Sequence, residues 1–336
     1  MRQILILSCV ILFMVAGCST TPRATLLPAF TPTPAFENPP PCWDGELVYH
    51  TQLHQMLLLN CVPATANADT LGGIWGWDGL HWRRLAEGSP PPRVLGGAAY
   101  DQKRNVVVVY GGRSLSTDTC SADTWEWDGA LWAKRDAPPP SPCDHFELTY
   151  DAAAGRVLLF GGLDQAQSPV HETWSWDGSA WTSIATEGPP NRAHFGFEYD
   201  PNHAQVLLYG GYAESTLGDF WSFKDGAWQS LDLHGPGKLS HFGMALDTDA
   251  NALYLFGGGS RTSTFTSLSA KTWVLKDGAW RELSPAVSPS KRGLHAMAYD
   301  PERKRIVLYG GFTSAGDLGD TWEWDGENWI CLVSCN

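Results

Sequence analysis

The sequence predicts an all-β propeller of six blades with four antiparallel strands each, and three observations carry that prediction. An apolar strand ending in a diglycine recurs as VVVVYGG ending at Gly112, VLLFGG at Gly162, VLLYGG at Gly211, LYLFGG at Gly258 and IVLYGG at Gly311, with a degenerate copy, MLLLNC, ending at Cys61. From Asn60 to Gly310 the copies step by 51, 50, 49, 47 and 53 residues, so six of them fill the chain. Two tryptophans always stand seven apart: Trp75 and Trp82, Trp125 and Trp132, Trp174 and Trp181, Trp221 and Trp228, Trp273 and Trp280, Trp322 and Trp329.

Each unit divides into four strands. The first, HAMAYD from His295 to Asp300 in the last copy, turns into the second, RIVLYGG, which is apolar on both faces as a strand sandwiched between neighbours must be. The third alternates Trp322 and Trp324 with Glu323, so its tryptophans share a face. An Asp-Gly pair follows in every copy (Asp78-Gly79, Asp128-Gly129, Asp177-Gly178, Asp225-Gly226, Asp277-Gly278, Asp325-Gly326) and predicts a tight hairpin into the fourth. The regular placement of the tryptophans assigns most of them to the wedge between blades rather than to carbohydrate platforms. The diglycines read as sites of close backbone approach. No helix follows any of them, which excludes a phosphate cradle.

A unit of about 50 residues has the length of a kelch blade, whereas WD40 blades run to about 40–45. The Trp77-Asp78 and Trp127-Asp128 pairs do not alter that assignment. Residues 45 to 333 thus resemble the kelch-repeat family, and Asn60-Cys61 in place of a diglycine is the departure. The resemblance implies a six-bladed kelch-type propeller. It also brings in the family's enzymes, sialic-acid epimerases and galactose oxidase; the latter fits poorly, because its relatives carry extra domains and a copper site of two tyrosines and two histidines, and no flanking domain is expected here.

Ahead of the propeller, residues 1–18, MRQILILSCVILFMVAGC, combine one basic residue with an apolar run from Ile4 to Val15. That run is shorter than the roughly 20 residues a membrane span needs. It reads as an export signal, and Val15-Ala16-Gly17-Cys18 resembles a bacterial lipobox with Cys18 as the acylated residue. An ordinary signal peptide with a chance cysteine is the plainer alternative. Residues 19–41, rich in Pro and Thr, read as an extended tether, and residues 42–336 as the propeller. The expected location is therefore the cell envelope, outside the cytoplasm, on a lipid anchor.

The formal charge of -13, without a Lys/Arg run, argues against nucleic acid and favours neutral or cationic partners. Of eight cysteines, Cys9 lies in the signal and Cys18 at its end. The remaining six predict disulfides in an exported chain. Cys120 and Cys143 are expected to pair between two loops, and Cys42 or Cys61 to clasp the ring shut with Cys331 or Cys335. The cysteine spacing does not suggest zinc. No metal or cofactor is assigned.

The segments from second to third strand (GYAESTLGDF, GGSRTSTFTSLSAKT) and the links between blades (APPPSPCD, LHGPGKLS) are long and varied, and strand order puts both at one end of the propeller. Variable loops on a rigid scaffold are where binding resides. Alternation along the first strands turns His145, Glu147, Arg192, His194, Glu198 and His241 toward the central channel. Three histidines at one level suit a metal or proton transfer. Against that stands the reading that His-Phe is a structural consensus of the repeat. The acidic residues ahead of the third strand (Asp123, Glu172, Asp219, Asp320) read as partners for local donors rather than calcium ligands.

Two function classes follow: a non-catalytic scaffold presenting its loop-rich face to a glycan, peptide or protein, and, as the alternative, a carbohydrate-active enzyme with epimerase-like acid/base groups in the channel. Lipidation is tested directly. Replacing Cys18 with Ala is expected to release the protein from membranes, and mass spectrometry of the native N-terminus showing an unmodified residue other than Cys18 would refute the lipobox.

Overall fold

Every sheet of the propeller keeps its four strands in chain order, from the axis outward. The structure, a computed structural model, describes residues 37–61, 63, 73–87, 90–114, 117–260 and 267–335. The predicted signal segment and Cys18 lie outside them. The described residues belong to one compact unit. Blade 1 is built from Glu46–His50, Gln55–Leu59, Gly73–Trp77 and Trp82–Glu87, and blade 6 from Ala296–Asp300, Arg305–Tyr309, Thr321–Trp324 and Trp329–Val333. All pairings are antiparallel, and no helix occurs among the described residues. The inner strands neighbour one another in sequence, with that of blade 6 beside that of blade 1, so six blades surround an axis.

The second strands are buried along nearly their whole length, as with Val106–Tyr110. Six hydrophobic clusters form, one at each seam between blades. None of the 17 tryptophans is exposed, which confirms their assignment to the wedges. Burying aromatic area supplies most of the cohesion, and polar bonds fix the register between blades. The indole N–H of Trp82 donates to Thr321 of blade 6, Trp181 to Thr124 of blade 2, Trp228 to Thr173 of blade 3 and Trp329 to Thr272 of blade 5, all at 2.8–2.9 Å. Trp77 and Trp176 donate likewise to Glu323 and Glu126 of the preceding blade.

The diglycines make the closest approach. The first glycine of each pair has φ between 62° and 71°. A Cβ there would stand 2.5–2.8 Å from a carbonyl in the next linker: Cys143, Arg192, Leu239, Arg292 or Cys42. The second glycine donates its N–H to that same carbonyl at 2.7–3.1 Å. Any side chain would push the blades apart, which is why glycine recurs.

Even-numbered blades carry a further device. Arg93, Arg192 and Arg292 are almost wholly buried. Each donates from Nε to a carbonyl two residues back, and from Nη1 to Gly111, Gly210 or Gly310 and to Asp123, Asp219 or Asp320. Each of these aspartates also takes the indole N–H two residues on, and Glu172 takes that of Trp174. The acidic residues thus satisfy local donors, as the sequence indicated. Arg192, expected in the channel, belongs to this scaffold instead.

The Asp-Gly turns divide into two kinds. In blades 4 and 5 both residues have positive φ, as a two-residue hairpin requires. In the other four the loop is longer, and the Asp carboxylate accepts two backbone N–H groups, as Asp78 does from Leu80 and His81.

Ring closure departs from expectation. The disulfides are Cys42–Cys61, Cys120–Cys143 and Cys331–Cys335. The second is the predicted loop pair, but no covalent clasp joins the chain ends. Cys42 sits against the end of blade 6's second strand while Cys331 lies on its fourth, two strand spacings or about 10 Å away, beyond the roughly 7 Å a disulfide spans. Backbone bonds do the closing. Cys42 donates to Leu318 and accepts from Gly311, Asp44 donates to Leu294, and Tyr309 Oη donates to the carbonyls of Pro39 and Pro40. Pro39 to Pro41, the end of the predicted tether, are thereby seated on blade 6. Three disulfides are the mark of an oxidising compartment outside the cytoplasm.

Arg192 gives the scaffold a direct test. Arg192→Ala strands Asp219 and the Gly210 carbonyl, and is expected to cost about 3 kcal/mol or more in denaturant unfolding. A loss below about 1 kcal/mol would place the residue outside the load path between blades.

Candidate functional site

At the head of each inner strand stands one residue with positive φ: Asp44 (61°), Leu95 (60°), His145 (61°), His194 (51°), His241 (61°) and Leu294 (50°). This conformation turns the chain from the linker onto the axis, and outside glycine it is least costly for Asn, Asp and His. Backbone bonds run around the collar. His145 donates to Leu95, His241 to His194, Leu294 to His241 and Asp44 to Leu294, at 2.8–3.1 Å. The Asp44 carboxylate accepts the Leu95 N–H.

The predicted histidines do meet here. His145 and His194 touch edge to face with centroids 5.0 Å apart, and His194 stacks on His241 at 4.1 Å. His145 Nδ1 lies 2.8 Å from Asp144, which also holds Arg113 and Gln167, and His241 Nδ1 lies 2.8 Å from Ser240 Oγ. Because Cys143 adjoins Asp144, the Cys120–Cys143 bridge pins the loop that orients His145. Linker residues pair with those following the second strand, as Val94 with Arg113 and Ala193 with Tyr212, so both varied loop classes lie at the collar's end.

Two residues further along each strand, Glu46 and Glu147 face the axis where the other blades carry Gly97, Gly196, Gly243 and Ala296, and Glu198 faces it one step deeper. The cavity is about 510 Å³ and reaches from Asp44, His194 and His241 to Tyr49 and Tyr199. Among the described residues no Lys or Arg lines it.

Its acids are strongly perturbed. Burial pushes Asp44 up to about 7, against the Leu95 hydrogen bond and the His145 charge, which act downward. Burial likewise pushes Glu198 up to about 7. Glu46 and Glu147 rise well above the carboxylate range, first through burial and then through like charge, from Glu147 and Asp44 on Glu46 and from Asp44 on Glu147. Nearby His295 is driven down to about 3 by burial, then by Arg292, and its Nε2 accepts the Gly243 N–H as a fixed neutral imidazole.

Glu147, His194, Glu198 and His241 thus line the channel, with His145 packed against His194 in the collar. Arg192 faces the seam. Sequence reading missed Asp44 and Glu46. Aligning WDGELVYH of blade 1 with DHFELTYD of blade 3 places them opposite His145 and Glu147.

Raised acids set the sign of a pH effect. Asp44 and Glu198 bind protons more tightly folded than unfolded, where their ordinary values are 3.8 and 4.5. Their contribution is therefore intact below pH 4 and is lost as pH climbs toward 7. Asp123, Asp144 and Asp219 are held low by their ion pairs and act below that window. Asp44→Asn and Glu198→Gln are expected to flatten the fall in Tm between about pH 4 and 7; parallel curves for variant and parent would contradict the assignment.

No protein-family model matches the chain, and no curated protein matches it. Among solved structures it is similar to the structure of YjhT, with a TM-score of 0.67 at 14% identity over 88% of this chain and 98% of that one. At that identity the likeness shows the fold, a six-bladed β-propeller.

Proposed function

We propose that the protein is an exported kelch-type propeller, lipid-anchored through Cys18, that acts as a binding scaffold in the cell envelope and takes a neutral or cationic glycan, peptide or protein group at the collar end of its channel. The observation that carries this reading is the cavity of about 510 Å³, lined by carboxylates and imidazoles and by no cation among the described residues. Carboxylates titrating near neutrality both donate and accept, which suits hydroxyl and ammonium groups. The varied loops surround the same end, and a disulfide holds one of them against His145.

The alternative, an acid/base enzyme, draws on Glu46 and Glu147, whose raised pKa values suit proton transfer. A sialic-acid-like substrate is anionic, however, and with Arg192 committed to Asp219 it meets carboxylates and no Lys or Arg among the described residues that line the channel.

The test uses the mature chain with Cys18 replaced, screened on glycan and peptide arrays and in a sugar-isomerisation assay followed by NMR. Saturable binding is expected, weakened at least tenfold, about 1.4 kcal/mol, by His194→Ala with His241→Ala, and without turnover. Turnover of a sugar that disappears with Glu147→Gln would replace the scaffold reading with the enzyme.

A further inference from the structure

Five of the six seams are closed by a diglycine against a linker carbonyl, and the seam between blades 1 and 2 is the exception. Asn60 stands there with φ 54°, at the position where a Cβ in the other blades would collide with the neighbouring linker. It carries a whole side chain, so the blade 2 linker must stand further off. The bond from second-position N–H to linker carbonyl made by Gly112, Gly162, Gly211, Gly258 and Gly311 has no counterpart at Cys61 among the described residues.

The polar bonds of this seam are missing as well. Ile74 stands where blades 2, 3, 5 and 6 carry the threonine that accepts an indole, and Gly76 where blades 2 and 6 carry the glutamate. Accordingly, the buried Nε1 atoms of Trp132 and Trp127 have no hydrogen-bond partner. Trp280 and Trp324 lack one as well; at Trp280, Phe220 occupies the threonine position and packs against the ring, centroids 6.1 Å apart.

The result is a cleft of about 90 Å³ lined by Asn60, Trp75, Arg84, Arg93, Trp132 and the Pro90–Pro92 run, with no acidic residue among those that line it. That volume is several times the roughly 10–15 Å³ needed for one water. Asn60 Nδ2 and Trp132 Nε1 are both buried donors without acceptors. Arg93 spends only Nε and Nη1 on Pro91, Gly111 and Asp123, whereas Arg192 and Arg292 also commit Nη2 to their aspartates. Arg84 lies over Trp75, its guanidinium 5.6 Å from the ring centroid.

We infer that this seam is a second binding site, separate from the channel, for a small carboxylate whose apolar body rests on Trp75 and the proline run. Unsatisfied buried donors are costly, and an anionic acceptor beside the Arg93 guanidinium satisfies them through charge-assisted bonds. The channel offers the reverse chemistry, carboxylates without Lys or Arg among the described residues, so the two sites select opposite ligands.

The test follows the Trp132 indole N–H resonance of the mature chain, identified with Trp132→Phe, during titration with acetate and propionate at constant ionic strength, with acetamide as the neutral control. A saturable shift is expected, with a dissociation constant on the order of 1 mM, tighter for propionate and at least tenfold weaker for acetamide. Asn60→Asp tolerates the same φ and places a negative charge in the cleft, so it should weaken acetate at least tenfold. Asn60→Gly restores the diglycine and should abolish the shift with Tm unchanged or higher, which separates loss of the site from loss of the fold. An absent or linear shift, equal binding of acetamide, or unaltered acetate binding in Asn60→Asp would each overturn the proposal.

Discussion

The propeller rests on one repeated contact: backbone pressed on backbone where the second strand of each blade ends. With a glycine N–H on the next linker's carbonyl and no room for a Cβ, the distance between adjacent blades is fixed to within tenths of an ångström. The aromatic wedge is then filled at that spacing, and the indole N–H groups fall within reach of Thr124, Thr173, Thr272 and Thr321. Each such bond is worth about 1 kcal/mol, less than the buried ring area, yet it permits one register only. Ring closure uses the same contact, with Cys42 serving as the linker carbonyl for Gly311. A covalent clasp is unnecessary because the last seam is chemically like the other closed ones.

Such a scaffold is legible in sequence because it repeats. The diglycines, the seven-residue tryptophan spacing and the Asp-Gly pairs each report a constraint met five or six times, and all of them correspond to real contacts. What repeats only in alternate blades was harder to read. Arg192 has partners in Arg93 and Arg292, about one hundred residues away on either side, and that two-blade period marks it as scaffold. Read within its own blade it sat two residues from His194 and was assigned to the channel by strand alternation. The alternation fails there because the strand begins later, after the positive φ at His194 has turned the chain.

The disulfides show a different limit. Pairing depends on which strand of a blade a cysteine occupies, and sequence separation does not measure distance across a sheet. Cys120 and Cys143 were predictable because both flank loops at the same end. Cys331 pairs instead within its own strand terminus, with Cys335, because the outer strand faces away from the neighbouring inner strand.

Residues that do not repeat are where function separates from fold. The collar requires a positive φ six times, and Leu95 and Leu294 meet that requirement with no imidazole and no charge. Three adjacent histidines are therefore more than the geometry demands. Glycine or alanine suffices at the middle level of four blades, so Glu46 and Glu147 are not filling space, and their burial and mutual repulsion work against the folded state at neutral pH. Asn60 likewise gives up the diglycine contact that every closed seam uses, and Ile74 and Gly76 give up indole bonds made at four and two of them. A repeat fold retains its scaffold residues by copying them; groups that occur once and cost stability where they stand are the ones the scaffold does not account for. In this chain they collect in two places, an acidic axis and a donor-lined seam.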